Sequence, residues 1–194
     1  MSDRTPREQQ TRTNTERRRW SPPSLLPNPR AEDGYGFRYI RKSMMGQLDD
    51  EDRLFFVSHS LGGIYALHLA NHYQATTIGG VSLSTPYGGS KQADFARYFL
   101  PFNRLMKDIG PMSRPMADVK KLPAPPHWTQ VVTTRGASPW IHEPNDGVVT
   151  IESMRYRSDF DLVELPLNHY EVVISNAVVE LVLDRIKQVI AHRG

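Results

Sequence analysis

Nine residues, Phe55-Phe56-Val57-Ser58-His59-Ser60-Leu61-Gly62-Gly63, constrain the fold of this chain more than any other stretch. Leu54-Phe55-Phe56-Val57 is apolar without polar alternation, the pattern of a short strand buried on both faces. Residues 61–73 read as a helix, with Ile64, Leu67 and Leu69 among its apolar positions. Between them, Ser60 sits in a small-x-Ser-x-Gly turn, with Ser58 two residues before it and Gly62 two after. Strand, tight turn and helix in that order form the context of a nucleophile elbow. A serine there projects its hydroxyl from the C-terminal edge of a sheet, and small neighbours let strand and helix pass closely. The helix N-terminus offers backbone N–H groups, that of Leu61 foremost, where an oxyanion would form. A plain Ser/Gly turn ahead of a helix could carry the same string, so the flanks give the motif its weight.

Those flanks continue as alternating elements. Residues 35–48 are expected to form a helix, with Phe37, Ile40, Met44 and Leu48 near a 3.6-residue period, ended by the acidic residues 49–52. Further strands are expected at 77–83, 129–134 and 161–165, and a closing helix at 171–191 bearing Val172, Val173, Val179, Leu183, Ile186 and Ile190. Strands alternating with helices imply a mostly parallel sheet with right-handed crossovers, hence an α/β fold. Residues 91–126 interrupt the pattern with Phe95, Tyr98, Phe99, Phe102, Leu105, Met106 and Ile109, then several prolines. This helical insertion is expected to act as a cap or lid; ordinary core packing would use the same residues.

The 194 residues suit one domain, and 39% hydrophobic against 23% charged residues allows a packed core. Residues 1–34, rich in Arg and Pro, hold seven arginines and no lysine against five acids, so they supply +2 of the +3 net charge. They offer little to bury and read as a disordered arm, whose Arg17-Arg18-Arg19-Trp20 cluster could touch an acidic partner or lipid headgroups. The remainder, 35–194, is close to neutral, which disfavours nucleic acid as a partner. No cysteine is present, excluding disulfides, thiol nucleophiles and thiolate metal sites. No apolar run approaches the roughly 18–20 residues that cross a bilayer, and no apolar segment of a secretory signal precedes Trp20. A soluble, cytoplasmic protein is the expectation.

A serine nucleophile needs a base, and the base needs an acid to orient it. In this fold class the order is Ser, then Asp or Glu, then His, each in a loop after a strand. Asp146 lies in the polar turn Glu143-Pro144-Asn145-Asp146-Gly147-Val148-Val149, after the third expected strand. His169 lies in Leu165-Pro166-Leu167-Asn168-His169-Tyr170, between the fourth strand and the last helix. Order and placement both fit. His142 is the rival base, but it precedes the acid and lacks the strand-then-helix setting. Glu143, Glu152, Asp159 and Asp161 are rival acids, each more readily explained as a solvated loop charge. His68 and His72 have i, i+4 spacing, yet no HExxH glutamate or third ligand accompanies them, so packing or surface roles are favoured and no metal is expected. His127 belongs to a loop after a proline run.

The chain resembles α/β-hydrolase serine lipases and esterases, including the GPI-inositol-deacylase-like and bacterial triacylglycerol lipase groups. Besides Ser58–Gly63, Leu83-Ser84-Thr85-Pro86-Tyr87-Gly88-Gly89-Ser90 is similar to the segment those enzymes carry after the strand following the elbow. Residues 145–149 resemble their acid loop, and residues 167–173 their histidine loop. The resemblance spans about residues 52–190. It implies Ser60 as nucleophile, Asp146 as orienting acid, His169 as general base and the Leu61 N–H as oxyanion donor. Substrate contacts are expected from His59, Tyr87, Phe99 and Phe102, with packing the readier role for His59, and the resemblance implies an ester or lipid substrate and no metal or organic cofactor.

One part of that pattern is missing. Such enzymes open with strands before the elbow, one of them ending in His-Gly and leading to a loop that donates the second oxyanion N–H. Nothing before residue 52 reads that way, so the expectation is a partial fold whose elbow strand exposes an apolar edge. A truncated sequence, a partner chain or second copy covering the edge, and a shortened relative each account for this. The functions that follow are ester hydrolysis through an acyl-enzyme, acyl transfer or thioester cleavage on the same triad, or a weakly active or inactive module that binds a partner. Peripheral membrane contact through the arm or cap is a further expectation.

Overall fold

The structure is a computed structural model, and it describes residues 36–48, 53–89, 114–139 and 141–191. The arm and most of the expected cap, Phe99 and Phe102 included, lie outside the described residues. In chain order the elements are α1 (Phe37–Met45), β1 (Leu54–His59), α2 (Leu61–His72), β2 (Thr77–Leu83), α3 (Arg114–Val119), β3 (Trp128–Thr133), α4 (Ile151–Met154), β4 (Asp161–Leu165), α5 (Glu171–Ile174) and α6 (Asn176–Ala191).

The four strands form one parallel sheet in the order β1-β2-β3-β4, each pairing with its neighbour in sequence. Parallel pairing needs a crossover after every strand, and helices occupy those connections. β2 is buried along its whole length, as its run Thr-Ile-Gly-Gly-Val-Ser-Leu suggests. Its glycines make room for large neighbours: a Cβ on Gly80 would lie 2.5 Å from the Trp128 ring, and one on Gly79 3.0 Å from the Phe55 ring.

Two apolar layers close the faces. On one, Phe37, Ile64, Tyr65, Leu67, Met116, Val119, Trp128 and Phe160 form a cluster joined by Phe56. On the other, Val81, Leu83, Val131, Val172 and Val178 pack together with Phe55, Leu181 and Val182. Phe55 and Phe56 thus point to opposite faces, as successive strand residues must. β1 differs from β2 in being only partly buried: it lies at the sheet edge, and Val57 is 52% exposed. Among the described residues no strand pairs with its outer edge.

One expectation needs adjustment. The closing helix is two helices, because Ser175 adopts an extended conformation (ψ 127°) and its carbonyl accepts from the N–H groups of Val178 and Val179. Serine followed by asparagine favours a helix start over a helix interior. In the segment 91–126, the described part, 114–126, packs on α2: His68 Nε2 bonds the Pro115 carbonyl at 3.2 Å and Asn71 Nδ2 donates to that of Pro123 at 3.2 Å. The buried Arg157 holds it from the other side, donating to the carbonyls of Val119 (2.7 Å) and Leu122 (2.8 Å) while forking onto Asp159.

Candidate active site

The site grows from the end of β1. After His59 the ladder continues for one bond, Ser60 N–H to Leu83 C=O at 2.8 Å, and the chain then turns sharply. Ser60 has φ 52° and ψ −128°, a region that side-chain-bearing residues rarely occupy. Its carbonyl accepts from Gly63 N–H at 3.0 Å, starting α2 at once, so Leu61 N–H lies in a first helical turn. The small residues of the turn are not equivalent. A Cβ on Gly62 would come no nearer than 3.9 Å to Ser58 Cβ, an ordinary contact, whereas one on Gly63 would lie 2.0 Å from Thr85 Oγ1. Gly63, next to the motif's own glycine, is the residue that close packing demands.

Asp146 sits in the turn that follows β3 and precedes α4. Gly147 at φ +99° sustains that turn, and Asn145 Oδ1 accepts from Gly147 N–H at 2.8 Å. Gly136 lets the chain leaving β3 run against it, since a Cβ there would lie 2.0 Å from the Asp146 carbonyl carbon. Asp146 Oδ1 accepts from the N–H groups of Val148 (3.0 Å) and Val149 (2.7 Å). Its Oδ2 accepts from His169 Nδ1 at 2.9 Å and from the Thr133 hydroxyl. The backbones join too, His169 N–H donating to the Asp146 carbonyl at 3.1 Å. Burial pushes the Asp146 carboxyl upward, but the bonds from His169, Thr133 and Val149 outweigh it and hold the carboxyl below its usual 3.8.

The His169 loop is held by a reciprocal cap. Asn168 Oδ1 accepts from Tyr170 N–H and Glu171 N–H, both at 2.9 Å, while Glu171 Oε2 accepts from Asn168 N–H at 3.0 Å. Arg135, two residues past β3, pairs with Glu171 and lowers its carboxyl below the ordinary range.

His59 connects this pair to the elbow. Its Nε2 lies 2.9 Å from the His169 carbonyl oxygen and its ring 4.7 Å from the His169 ring. Burial, then the neighbouring His169, pull its pKa below 6.5, and because a carbonyl oxygen can only accept, Nε2–H donates that bond. His59, His169 and Asp146 therefore meet at the C-terminal edge of the sheet, and Ser60 and Leu61 follow His59 directly in the chain.

Tyr87 does not join them. It is fully buried, accepts from Trp128 Nε1 at 3.2 Å and packs edge-on against Phe160, and burial pushes its phenol up to about 12. His142 is exposed, Asp159 is taken by Arg157 and Asp161 by Arg185. His68 is buried against Phe37, and among the described residues no three acidic or histidine side chains are grouped closely enough to hold a metal ion. Two contributors escaped the sequence reading: Thr133 and Gly136. Gly136 left a signal, a lone glycine just past a strand; the Thr133 hydroxyl left none.

The architecture is similar to that of a lipase from Bacillus licheniformis, BlEst2 in its mature form, with a TM-score of 0.54. The likeness covers 76% of this chain and 68% of that one. The fold is α/β-hydrolase-like. At 16% sequence identity the likeness is one of fold. No protein-family model matches the sequence, and no curated protein matches it either. Among the described residues of this hydrolase-like fold, no helix is long and apolar enough to cross a membrane.

Proposed function

We propose that the chain is a serine hydrolase of carboxylic esters, of the lipase or esterase type, working through an acyl-enzyme. The backbone of Ser60 carries the reading. Holding a serine at φ 52°, ψ −128° costs about 1–3 kcal/mol, and glycine would relieve it. Strain of that kind, at the head of α2 and beside a buried His169–Asp146 pair, supports a nucleophile.

In this mechanism Asp146 accepts from His169 Nδ1–H and so leaves Nε2 as the basic nitrogen. Nε2 takes the Ser60 hydroxyl proton as Oγ attacks the ester carbonyl carbon. The Leu61 N–H stabilises the resulting oxyanion. When the tetrahedral intermediate collapses, the leaving alkoxide takes the proton from His169 and the acyl group stays on Ser60. Water, deprotonated by His169, then attacks that carbonyl, releasing the carboxylic acid and restoring Ser60. His59 borders the reacting groups as a substrate-side or packing residue, and the similarity to a lipase supports a lipid or simple ester as substrate class.

Labelling with a fluorophosphonate probe tests this without a guess at the substrate. Wild type is expected to label, and Ser60→Ala and His169→Ala to lose labelling while remaining folded. Folded wild type that does not label overturns the reading.

The outer edge of β1 favours a second reading, a weakly active or inactive module that binds a partner through that edge. Absent labelling together with a stable oligomer or tight partner binding would support it.

A further inference from the structure

We propose that Ser84 and Thr133 form a directed hydrogen-bond relay that positions Asp146, and through it His169, making both hydroxyls positioning residues of the site. The inference rests on the reading of Ser60, His169 and Asp146 as a triad. Ser84 directly follows β2 and Thr133 ends β3, so the relay runs across the two central strands. All four members are almost wholly buried: Ser84 and Thr133 at 0% exposure, Asp146 at 1%, His169 at 3%.

Donor counting sets the direction. Ionised Asp146 can only accept, so both His169 Nδ1–H and the Thr133 hydroxyl donate to Oδ2. Thr133 has one proton. Met154 Sδ, 3.4 Å from Thr133 Oγ1, is a weak acceptor beside a carboxylate. With that proton committed, Thr133 Oγ1 accepts, and Ser84 Oγ, 2.8 Å away, donates to it. Val148 and Val149 N–H groups fill Oδ1, so the carboxylate has four donors and cannot rotate without losing some. Ser84 also stands at φ 51°, where a serine is uncommon, while its N–H bonds the Val131 carbonyl at 3.0 Å.

Two consequences separate this role from packing. Without the Thr133 hydroxyl the carboxylate is less firmly held, and labelling slows. The Oδ2 charge then falls undivided on His169 Nδ1–H, so that hydrogen bond tightens and its proton is more deshielded. Other groups near His169 are the His59 ring at 4.7 Å, the Tyr170 ring at 5.6 Å, and Glu171 paired with Arg135; the variants below leave all of them intact.

The test compares wild type with Thr133→Val, Thr133→Ser and Ser84→Gly by fluorophosphonate labelling rate, downfield proton NMR of the bridging Nδ1–H, and melting temperature. Thr133→Val is expected to label about 10–100-fold more slowly, the scale of one hydrogen bond to a charged group. Its bridging proton should move further downfield. Thr133→Ser should restore both. Ser84→Gly, which removes the far hydroxyl while suiting the positive φ, should slow labelling to a lesser degree without lowering the melting temperature; it also carries the test if Thr133→Val does not fold. Wild-type rate and proton shift in Thr133→Val overturn the relay, as does a Thr133→Ser variant as slow as Thr133→Val. If wild type itself does not label, the hydrolase reading falls, and the bridging-proton shift alone decides the relay.

Discussion

Gly63 and Gly62 look alike in sequence and differ in what surrounds them. Gly63→Ala drives a methyl into Thr85, which is itself fully buried and has little room to give. A loss of about 1–3 kcal/mol is expected, the usual cost of overpacking, read as a lower midpoint in urea unfolding. Gly62→Ala meets only ordinary contacts and should change the midpoint little. Equal losses at both positions would mean that the Thr85 contact is not what selects glycine. The same physics bears on Ser60: a residue at that φ and ψ is chosen against local preference. Ser60→Gly is therefore expected to raise thermal stability while abolishing labelling, the trade of strain for chemistry. A Ser60→Gly variant melting below wild type would argue against strain at this position.

At the scale of elements, the described end of the 91–126 segment is held by His68, Asn71 and Arg157, and only Arg157 bonds it at two carbonyls. Arg157 is buried and satisfies two backbone carbonyls as well as Asp159, which is itself half-exposed. Arg157→Met leaves the Val119 and Leu122 carbonyls without their donors, and a loss of about 2–4 kcal/mol is expected by chemical denaturation. Hydrogen exchange should show α3 opening first; uniform loss of protection across the molecule would instead assign Arg157 a role in the whole core. β1 presents the opposite case, an element under-covered for its composition. Val57→Lys, placing a charge on the exposed side of an edge strand, is expected to reduce self-association in light scattering at high protein concentration. Unchanged association would mean that another surface drives it.

For the whole molecule, two buried groups and the half-buried His59 push stability the same way with pH. His59 and His68 are held below 6.5, chiefly by burial, so the unfolded chain takes up their protons first as pH falls. Their contribution is complete above about pH 6.5 and declines below it, by up to about 1.4 kcal/mol per pH unit for each histidine. Asp146, held below 3.8, contributes above that value and loses its contribution as pH falls through its folded-state pKa. Melting temperatures from pH 8 to 3 should therefore fall in two stages. His68→Gln should flatten the first stage only. Stability that stays constant between pH 7 and 5 would show that these two histidines are not held neutral.

Local information carried a large part of this protein. The boundaries of β2 and β4, the strand–turn–helix at Ser60 and the loops that carry Asp146 and His169 were legible because buried strands and tight turns write themselves as short runs with punctuation. The parallel α/β class followed from alternation alone. Distance along the chain hid the rest. Glycine at 63 answers Thr85, glycine at 136 answers the Asp146 turn, and the hydroxyls of Ser84 and Thr133 matter only because parallel pairing of β2 with β3 brings them side by side. Tyr87, expected at the substrate, belongs to the core because Trp128 and Phe160 meet it there. A side chain's residue type sets which bonds it can make, while its partners come from strands that no local pattern aligns. Which residues are candidates for chemistry was therefore written in sequence, and what holds them in position was decided by the sheet.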